Sequence, residues 1–191
     1  MGLASFFKRK PAEPPPKVRK PRRCLPTHVT KERVILSKAA TQLRNSHEIV
    51  LMNALAAAKG LKLTLAVRPS AQMDPTLSAQ LRQFGVEITE ARMEDYSVYF
   101  GCTDRTGADQ EGFVLGNSKA FAALTQTMRS LWLRDRLRIG SSFSGEGLTE
   151  LENAIRKDDF RVNNLDGENV RDALLELIEA AKKDGGIVFV Q

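Results

Sequence analysis

The chain of 191 residues has few of the residues that build covalent or metal frameworks. It contains two cysteines, Cys24 and Cys102, and two histidines, His28 and His47. Two cysteines make a disulfide framework a poor explanation of the fold and favour a reducing, cytoplasmic compartment. These four residues also lack the spacing of a structural zinc site, so the sequence predicts no metal centre.

Long apolar runs are also missing. No stretch approaches the roughly 20 apolar residues that a transmembrane helix needs. The start, MGLASFFKRK, places a short apolar patch before its basic residues, whereas a secretory signal places the basic residues first. The myristoylation pattern is missed as well, because Ser5 stands one place early and residue 6 is phenylalanine. These features again favour a cytoplasmic location.

Charge is present but unevenly distributed. Of the 29 lysines and arginines, eight lie in residues 1–23, which contain one of the 23 acidic residues. The rest of the chain is close to neutral, so the net charge of +6 belongs to its start. The eight basic residues are Lys8, Arg9, Lys10, Lys17, Arg19, Lys20, Arg22 and Arg23.

Residues 8–26 hold six of the eight prolines. Proline fixes φ and removes a backbone donor, so this segment cannot form a helix or an interior strand. Its low apolar content cannot offset the entropy of ordering. We therefore predict a disordered, extended arm over residues 1–28, which we call the basic arm, and a single domain over residues 29–191.

The basic arm predicts a partner with negative charge. Eight cations on an extended segment can neutralise phosphates and release counterions, which indicates binding to nucleic acid or to a nucleoprotein complex. The arm has no aromatic platform or groove-reading helix, so we expect binding that is indifferent to sequence. In a rival interpretation, Phe6 and Phe7 insert at an anionic membrane surface and hold the protein peripherally at the inner membrane. A linker without a partner is the third interpretation.

The remainder of the sequence predicts an α/β fold, with a mixed sheet of about five strands flanked by helices. Residues 73–85 show the pattern well, since Asp74 caps a helix, Pro75 occupies its first turn and Gly85 ends it. We expect Asn45 to cap a second helix and Thr149 with Glu152 to form a capping box. Helices are predicted over residues 30–45, 45–60, 73–85, 118–140, 149–157 and 166–186. Strands are predicted over residues 61–67, 86–91, 96–102, 111–117 and 187–190.

The stretch YFGCTDRTGADQEGFVLGN, residues 99–117, concentrates polar residues between two apolar runs. Its candidate catalytic residues are Asp104, Arg105, Asp109 and Glu111, because such carboxylates can hold a divalent cation or act as acid and base in phosphodiester cleavage. The alternative is a hairpin tip, since DRTGAD has the residues of a turn. The glycine spacing matches neither a phosphate loop nor a dinucleotide fingerprint, so the sequence leaves open whether the protein is an enzyme and assigns no cofactor.

Three further features have two interpretations each. Cys102 is either a nucleophile activated by Arg105 or a small buried apolar group. GSSFSGEG, residues 140–147, is either a phosphate loop without the usual lysine or a flexible connector. Arg134 and Arg138 share a helix face, which either meets phosphates or pairs with acids of the same domain.

The segment YFGCTDR resembles the strand signature of the ParB and sulfiredoxin-like fold, in which Phe-Gly-Gly-Cys-His-Arg meets a nucleotide phosphate. The matching positions are Phe100, Gly101, Cys102 and Arg105, while Thr103 and Asp104 replace the single histidine and one glycine is missing. A mixed α/β chain of this size is also similar to the plasmid oncogenic-suppression (Osa) type of fertility inhibitor. That resemblance implies interference with conjugative transfer of a DNA–protein complex, with nuclease or nucleotidase activity.

Overall fold

The computed structural model describes residues 24–90 and 95–191, so the predictions for the basic residues of the arm and for Phe6 and Phe7 lie outside the described residues. Within these ranges the predicted α/β class is confirmed, with six helices and three sheets. The strands are divided between two four-stranded sheets and a pair of two-residue strands, instead of forming one sheet of about five strands. None of the helices in the described ranges is long and apolar enough to cross a membrane.

Within the described ranges, eight of the ten strands lie before residue 118, and four of the six helices lie from residue 118 onwards. The strands are β1 (His28–Val29), β2 (Arg33–Lys38), β3 (Gln42–Leu43), β4 (Lys62–Val67), β5 (Gln72–Met73), β6 (Glu87–Glu90), β7 (Ser97–Thr103), β8 (Asp109–Asn117), β9 (Ser142–Phe143) and β10 (Val188–Val190). The helices are α1 (His47–Ala58), α2 (Pro75–Gln83), α3 (Ser118–Thr127), α4 (Leu131–Arg136), α5 (Glu146–Lys157) and α6 (Val170–Asp184).

The first sheet, which we call the N-terminal sheet, has the strand order β1-β2-β4-β6. Strands β2, β4 and β6 are parallel, and β1 is antiparallel to β2. Leu36 and Leu65 are register partners and share one hydrophobic cluster with Ile49 of α1 and Leu77 of α2. Strands β3 and β5, which immediately precede the two helices, pair in parallel. The N-termini of α1 and α2 therefore lie side by side beyond the carboxyl ends of β2 and β4.

The second sheet, which we call the C-terminal sheet, is antiparallel throughout and has the order β8-β7-β10-β9. Phe100 and Phe113 stack across β7 and β8 with ring centroids 5.2 Å apart. They belong to a cluster that includes Leu151 of α5 and Leu177 of α6. The prediction that residues 187–190 form a strand inside a sheet is confirmed, because β10 is paired on both sides.

The predicted helix over residues 30–45 is wrong, because this segment contains β2 and β3. Val34 and Ile35 are β-branched, and such side chains favour strands. Four of the six residues of β2 are buried, since parallel strands are covered on both faces. A short apolar run of this kind has no helical period, and the strand assignment fits it better.

The predicted long helix over residues 118–140 is also wrong, because it is two helices separated at residues 128–130. Asp158 Oδ2 accepts hydrogen bonds from the backbone N–H groups of Arg129 (2.9 Å) and Ser130 (2.8 Å), and Ser130 caps α4. Leu131, the first residue of α4, is 70% exposed.

The predicted capping box at Thr149 and Glu152 is wrong because α5 begins at Glu146 and includes both residues. Residues 140–147, interpreted as a loop, contain β9 and the first two residues of α5. The other helices agree with expectation. Asp74 caps α2, Gly185 ends α6 in the left-handed region, and α1 spans the predicted range with Ser46, not Asn45, at its N-cap.

Candidate functional site at the junction of the two sheets

Asp104 organises the tip of the hairpin between β7 and β8. Its Oδ1 accepts hydrogen bonds from the Thr106 backbone N–H (2.7 Å), the Thr106 hydroxyl (2.6 Å) and the Ala108 N–H (3.1 Å). Its Oδ2 accepts from the side-chain amide of Gln110 at 3.0 Å. These hydrogen bonds, that of the Thr106 hydroxyl foremost, hold the pKa of Asp104 below its usual value. Asp104 therefore acts as a turn-forming residue.

Asp109 faces inward from the same hairpin. Its Oδ2 accepts hydrogen bonds from the backbone N–H of His47 at 2.5 Å and from the hydroxyl of Tyr99 at 3.1 Å. Burial raises the pKa of Asp109 to about 6, although both hydrogen bonds act in the opposite direction. Gly112 leaves room for this contact, since a Cβ there would lie 1.9 Å from the Tyr99 hydroxyl oxygen. The carboxylate thus links the C-terminal sheet to the start of α1.

The four candidate catalytic residues do not converge. Glu111 lies opposite Cys102 in the register, and residues opposite each other share a sheet face. Cys102 belongs to the cluster under α5 and α6, whereas Tyr99, the partner of Asp109, belongs to a different cluster. Arg105 is exposed at the tip, where its backbone N–H donates to the carbonyl of Asp184 at 3.1 Å. Residues 24–90 and 95–191 contain no group of three or more His, Cys, Asp or Glu that could hold a metal ion.

A buried ion pair lies beside Asp109 at the junction of the two sheets. Lys38 at the end of β2 pairs with Glu48 in the first turn of α1, and both side chains are 0% exposed. The Ser97 hydroxyl donates to Glu48 Oε1 at 2.5 Å, while Lys38 Nζ lies 3.5 Å from the Ser97 carbonyl and 3.4 Å from the Gln191 carbonyl. Burial lowers the pKa of Lys38, and the carboxylate of Glu48 opposes that shift. We call Lys38, Glu48, Ser97, Tyr99 and Asp109 the polar junction.

Sequence reasoning missed most of the polar junction. The incorrect helix over residues 30–45 placed Lys38 in the wrong element, and no functional role was predicted for Glu48. The available signal was one charged residue, Lys38 or Glu48, within each of two mainly apolar stretches, VILSKAA and HEIVLM. Cys24 packs nearby, and burial together with Glu48 raises the pKa of its thiol to about 12. The thiol therefore stays protonated and is a poor nucleophile.

A polar cleft of about 350 Å³ opens next to the junction. It lies between the start of α1, the start of α2 and the tip of the hairpin, and we call it the helix-start cleft. Two helix N-termini and residues of the predicted catalytic segment meet there. The polar residues that line it include Arg44, Asn45, Ser46, Asp74, Thr76 and Asp109.

The remaining candidates are distributed elsewhere. Cys102 is fully buried in the hydrophobic core, as the apolar interpretation predicted. Arg134 and Arg138 do not share a helix face, because α4 ends at Arg136. Arg138 pairs with Asp135 at 3.1 Å and Arg129 pairs with Asp159 at 3.3 Å, so both arginines pair with acids of their own domain. The serine-rich segment 140–147 does not join the cleft. It contains β9, which pairs with β10, and β10 lies between β9 and β7 in the C-terminal sheet.

Comparison with known proteins gives no significant match for this chain among protein-family models, curated proteins or solved structures. The resemblance to the ParB and sulfiredoxin-like fold, and to the Osa type of inhibitor, therefore stays a prediction.

Proposed function

We propose that this chain is a non-enzymatic accessory protein that binds nucleic acid, or a nucleoprotein complex, through its basic arm. The observation that carries the proposal is the division of charge along the sequence. Residues 1–23 hold eight basic residues and one acidic residue, whereas the rest of the chain is nearly balanced. The basic residues of residues 1–23 outnumber the acidic ones, so this segment has an excess of positive charge that can bind phosphates. The release of counterions then drives binding.

The ion pairs of the domain support this division. Within the described ranges, seven basic side chains pair with acids of the domain itself, and all but one of these pairs are at least partly exposed. Such exposed pairs contribute little to stability, but they offset the positive charge of the domain locally. The pairs are Arg33–Glu87, Lys38–Glu48, Arg129–Asp159, Arg138–Asp135, Arg156–Glu152, Lys182–Glu152 and Arg171–Asp172.

The non-enzymatic part of the proposal rests on the hairpin. Asp104 is engaged in four hydrogen bonds of its own turn, and Asp109 and Glu111 lie on different sides of the sheet. Two-metal or acid–base cleavage of a phosphodiester needs carboxylates that face one reacting group. A nuclease that uses these four residues would therefore need a different arrangement of the hairpin.

The proposal is tested by fluorescence anisotropy with two labelled duplexes of unrelated sequence. We expect equal affinity for both, because the arm has no means of reading bases. If all eight cations contact phosphates, the slope of log K against log salt concentration approaches about −7. Replacing the eight basic residues with glutamine should abolish binding while the unfolding transition stays unchanged.

The matched control replaces exposed basic residues of the domain, Arg134 and Arg136, with glutamine, which should leave the affinity almost unchanged. Retained affinity in the arm variant, or loss of affinity in the control, would refute the proposal. Anionic vesicles provide the competing outcome. If vesicles bind the protein, the substitutions Phe6→Ser and Phe7→Ser release it, and neither duplex binds, then the arm is a membrane anchor instead.

A further inference from the structure

A second cavity, of about 410 Å³, lies at the β8 edge of the C-terminal sheet. It is bounded by the last residues of β8, by the first turn of α3 and by residues 25–27, 95–97 and 163–165. We call it the edge cavity. Its volume is far more than the roughly 30 Å³ of a single water and lies within the usual range for binding pockets.

The edge cavity favours an apolar occupant. Half of the residues that line it are apolar. Leu25, one of them, is 56% exposed, and Tyr96 and Leu165 are only partly buried. Apolar side chains that water reaches around one concavity are typical of a place where another apolar group binds.

The charge around the edge cavity is negative. Among its lining residues, Asp95 is acidic and none is basic. The carboxylate of Asp95 accepts hydrogen bonds from neutral donors, the hydroxyl of Ser118 at 3.0 Å and the side-chain amide of Asn117 at 3.5 Å. Asp166 follows directly on Leu165 and adds a second carboxylate. An apolar pocket bordered by carboxylates fits apolar side chains that stand next to cations.

The start of this chain has that composition. In residues 6–10, FFKRK, two phenylalanines directly precede three basic residues. The described chain begins at Cys24, next to Leu25 of the edge cavity. Residues 8–23 connect the two places and can span up to about 50 Å, so the start of the chain can return to the cavity. The connection also gives the phenylalanines an effective concentration in the millimolar range, which favours binding within one chain.

We propose that Phe6 and Phe7 pack into the edge cavity of their own chain. The three basic residues that follow them then lie next to Asp95 and Asp166. The basic arm is thereby attached to the domain at both of its ends, and the phenylalanines are unavailable to a membrane surface. This inference does not depend on the binding of nucleic acid, and either one can fail without the other.

The first test compares the full chain with its double variant Phe6→Ser, Phe7→Ser by NMR. In the wild type we expect cross-peaks between phenylalanine rings and the methyl groups of Leu25 and Leu165 that disappear in the double variant. The amide of Ala120 should shift at the same time. The matched control is Val18→Ser, at another apolar residue of the arm, which should change neither. An unaltered spectrum at these three residues in the double variant would overturn the proposal.

A synthetic peptide of residues 1–12, added to the double variant, gives the second readout. It should restore the wild-type amide shifts in a saturable way, with a dissociation constant below about 1 mM, because weaker binding would leave the cavity mostly empty even within one chain. The same peptide with serine in place of both phenylalanines should bind at least tenfold more weakly, as roughly expected from the loss of two buried aromatic side chains. Asp95→Asn should weaken the binding of the first peptide by about twofold to fivefold, as for an exposed ion pair. Equal affinity for the two peptides would contradict the proposal.

The other possible occupants give different results. If the ring-to-methyl cross-peaks fade on dilution and sedimentation detects a dimer, the cavity holds the arm of a second copy. If anionic vesicles bind the wild type while the double variant leaves the amides of the cavity unmoved, the phenylalanines bind the membrane instead. Either result would refute packing within one chain.

Discussion

Asp104 and Asp109 stand five residues apart in one hairpin, and the structure gives them opposite properties. Both side chains are partly exposed. Asp104 accepts hydrogen bonds within its own turn, which lower its pKa, whereas burial of the Asp109 carboxyl raises its pKa to about 6. The same side chain is thus a turn former at one position and a structural link between two sheets at the other. What separates them is the packing of α1 against the start of β8, a contact between distant parts of the chain.

The comparison extends to the charges around each residue. At the tip, the hydrogen-bond partners of Asp104 are neutral groups of its own hairpin. In the polar junction, Lys38 and Glu48 are fully buried, so each depends on the other. We therefore expect substitutions in the junction to have large effects that depend on their partners, and substitutions at the tip to have small, independent effects.

The largest effect is expected from Lys38→Met, which leaves Glu48 buried without its partner. Breaking a buried ion pair in this way costs about 3–5 kcal/mol in the free energy of unfolding. The double variant Lys38→Met with Glu48→Gln removes both charges and keeps an acceptor for Ser97, so most of the loss should be recovered. Urea unfolding measures both variants. Equal destabilisation of the single and double variants would contradict a partner-dependent junction.

The exposed ion pair between Arg138 and Asp135 supplies the control for that experiment. Both side chains are about 70% exposed, so the substitution Arg138→Met should lower the free energy of unfolding by less than about 1 kcal/mol. A loss as large as that of Lys38→Met would show that burial is not the cause of the difference.

The next largest effect concerns pH. Because the pKa of Asp109 is raised in the folded state, its contribution to stability is complete below the ordinary value of 3.8 and is lost as pH rises through about 6. Asp109→Asn keeps an acceptor for His47 and Tyr99 without the titration. Relative to this variant, the wild type should lose about 2–3 kcal/mol of unfolding free energy between about pH 4 and pH 7. Parallel pH profiles for the two proteins would contradict the raised pKa.

The smallest effect is expected from Asp104→Ala. The global unfolding transition should hardly move, because water replaces the lost acceptor at an exposed tip. The amides of Thr106 and Ala108, which donate to Asp104, should instead exchange hydrogen faster. Carbonyl NMR of the wild type completes the comparison, since Asp104 should titrate below 3.8 and Asp109 above it. Titration of the two carboxyls in the reverse order would refute the assignment of their roles.

The parts of the fold that the sequence predicted well are those with local causes. Asp74 and Pro75 start α2, Gly85 directly follows its end with a positive φ, and DRTGAD forms the tip of a hairpin, since each depends on residues a few positions apart. The break after α3 depends on Asp158, which lies about 30 residues further along the chain. No local pattern carries that information.

The same distinction explains the candidate site. Asp109 was predicted as a candidate residue together with Asp104, Arg105 and Glu111, but the structure does not bring these four side chains together. Its neighbours in space, His47 and Tyr99, were predicted in a helix and in a strand, and nothing in their spacing along the sequence connects them to Asp109. The division of the strands between two sheets was also not predicted. Pairing between strands that are distant in sequence decides this division, and the periodicity of the sequence does not.

The close fit of Tyr99 over Gly112 constrains how this protein can diverge. A side chain at position 112 would occupy the place of the phenol oxygen, and without that oxygen Asp109 would lose one of its two anchors. Descendants of this sequence that acquire alanine at 112 should therefore carry a smaller residue at 99 and a neutral one at 109. We therefore expect positions 99, 109 and 112 to change together, and correlated substitutions at these three positions would be the evidence.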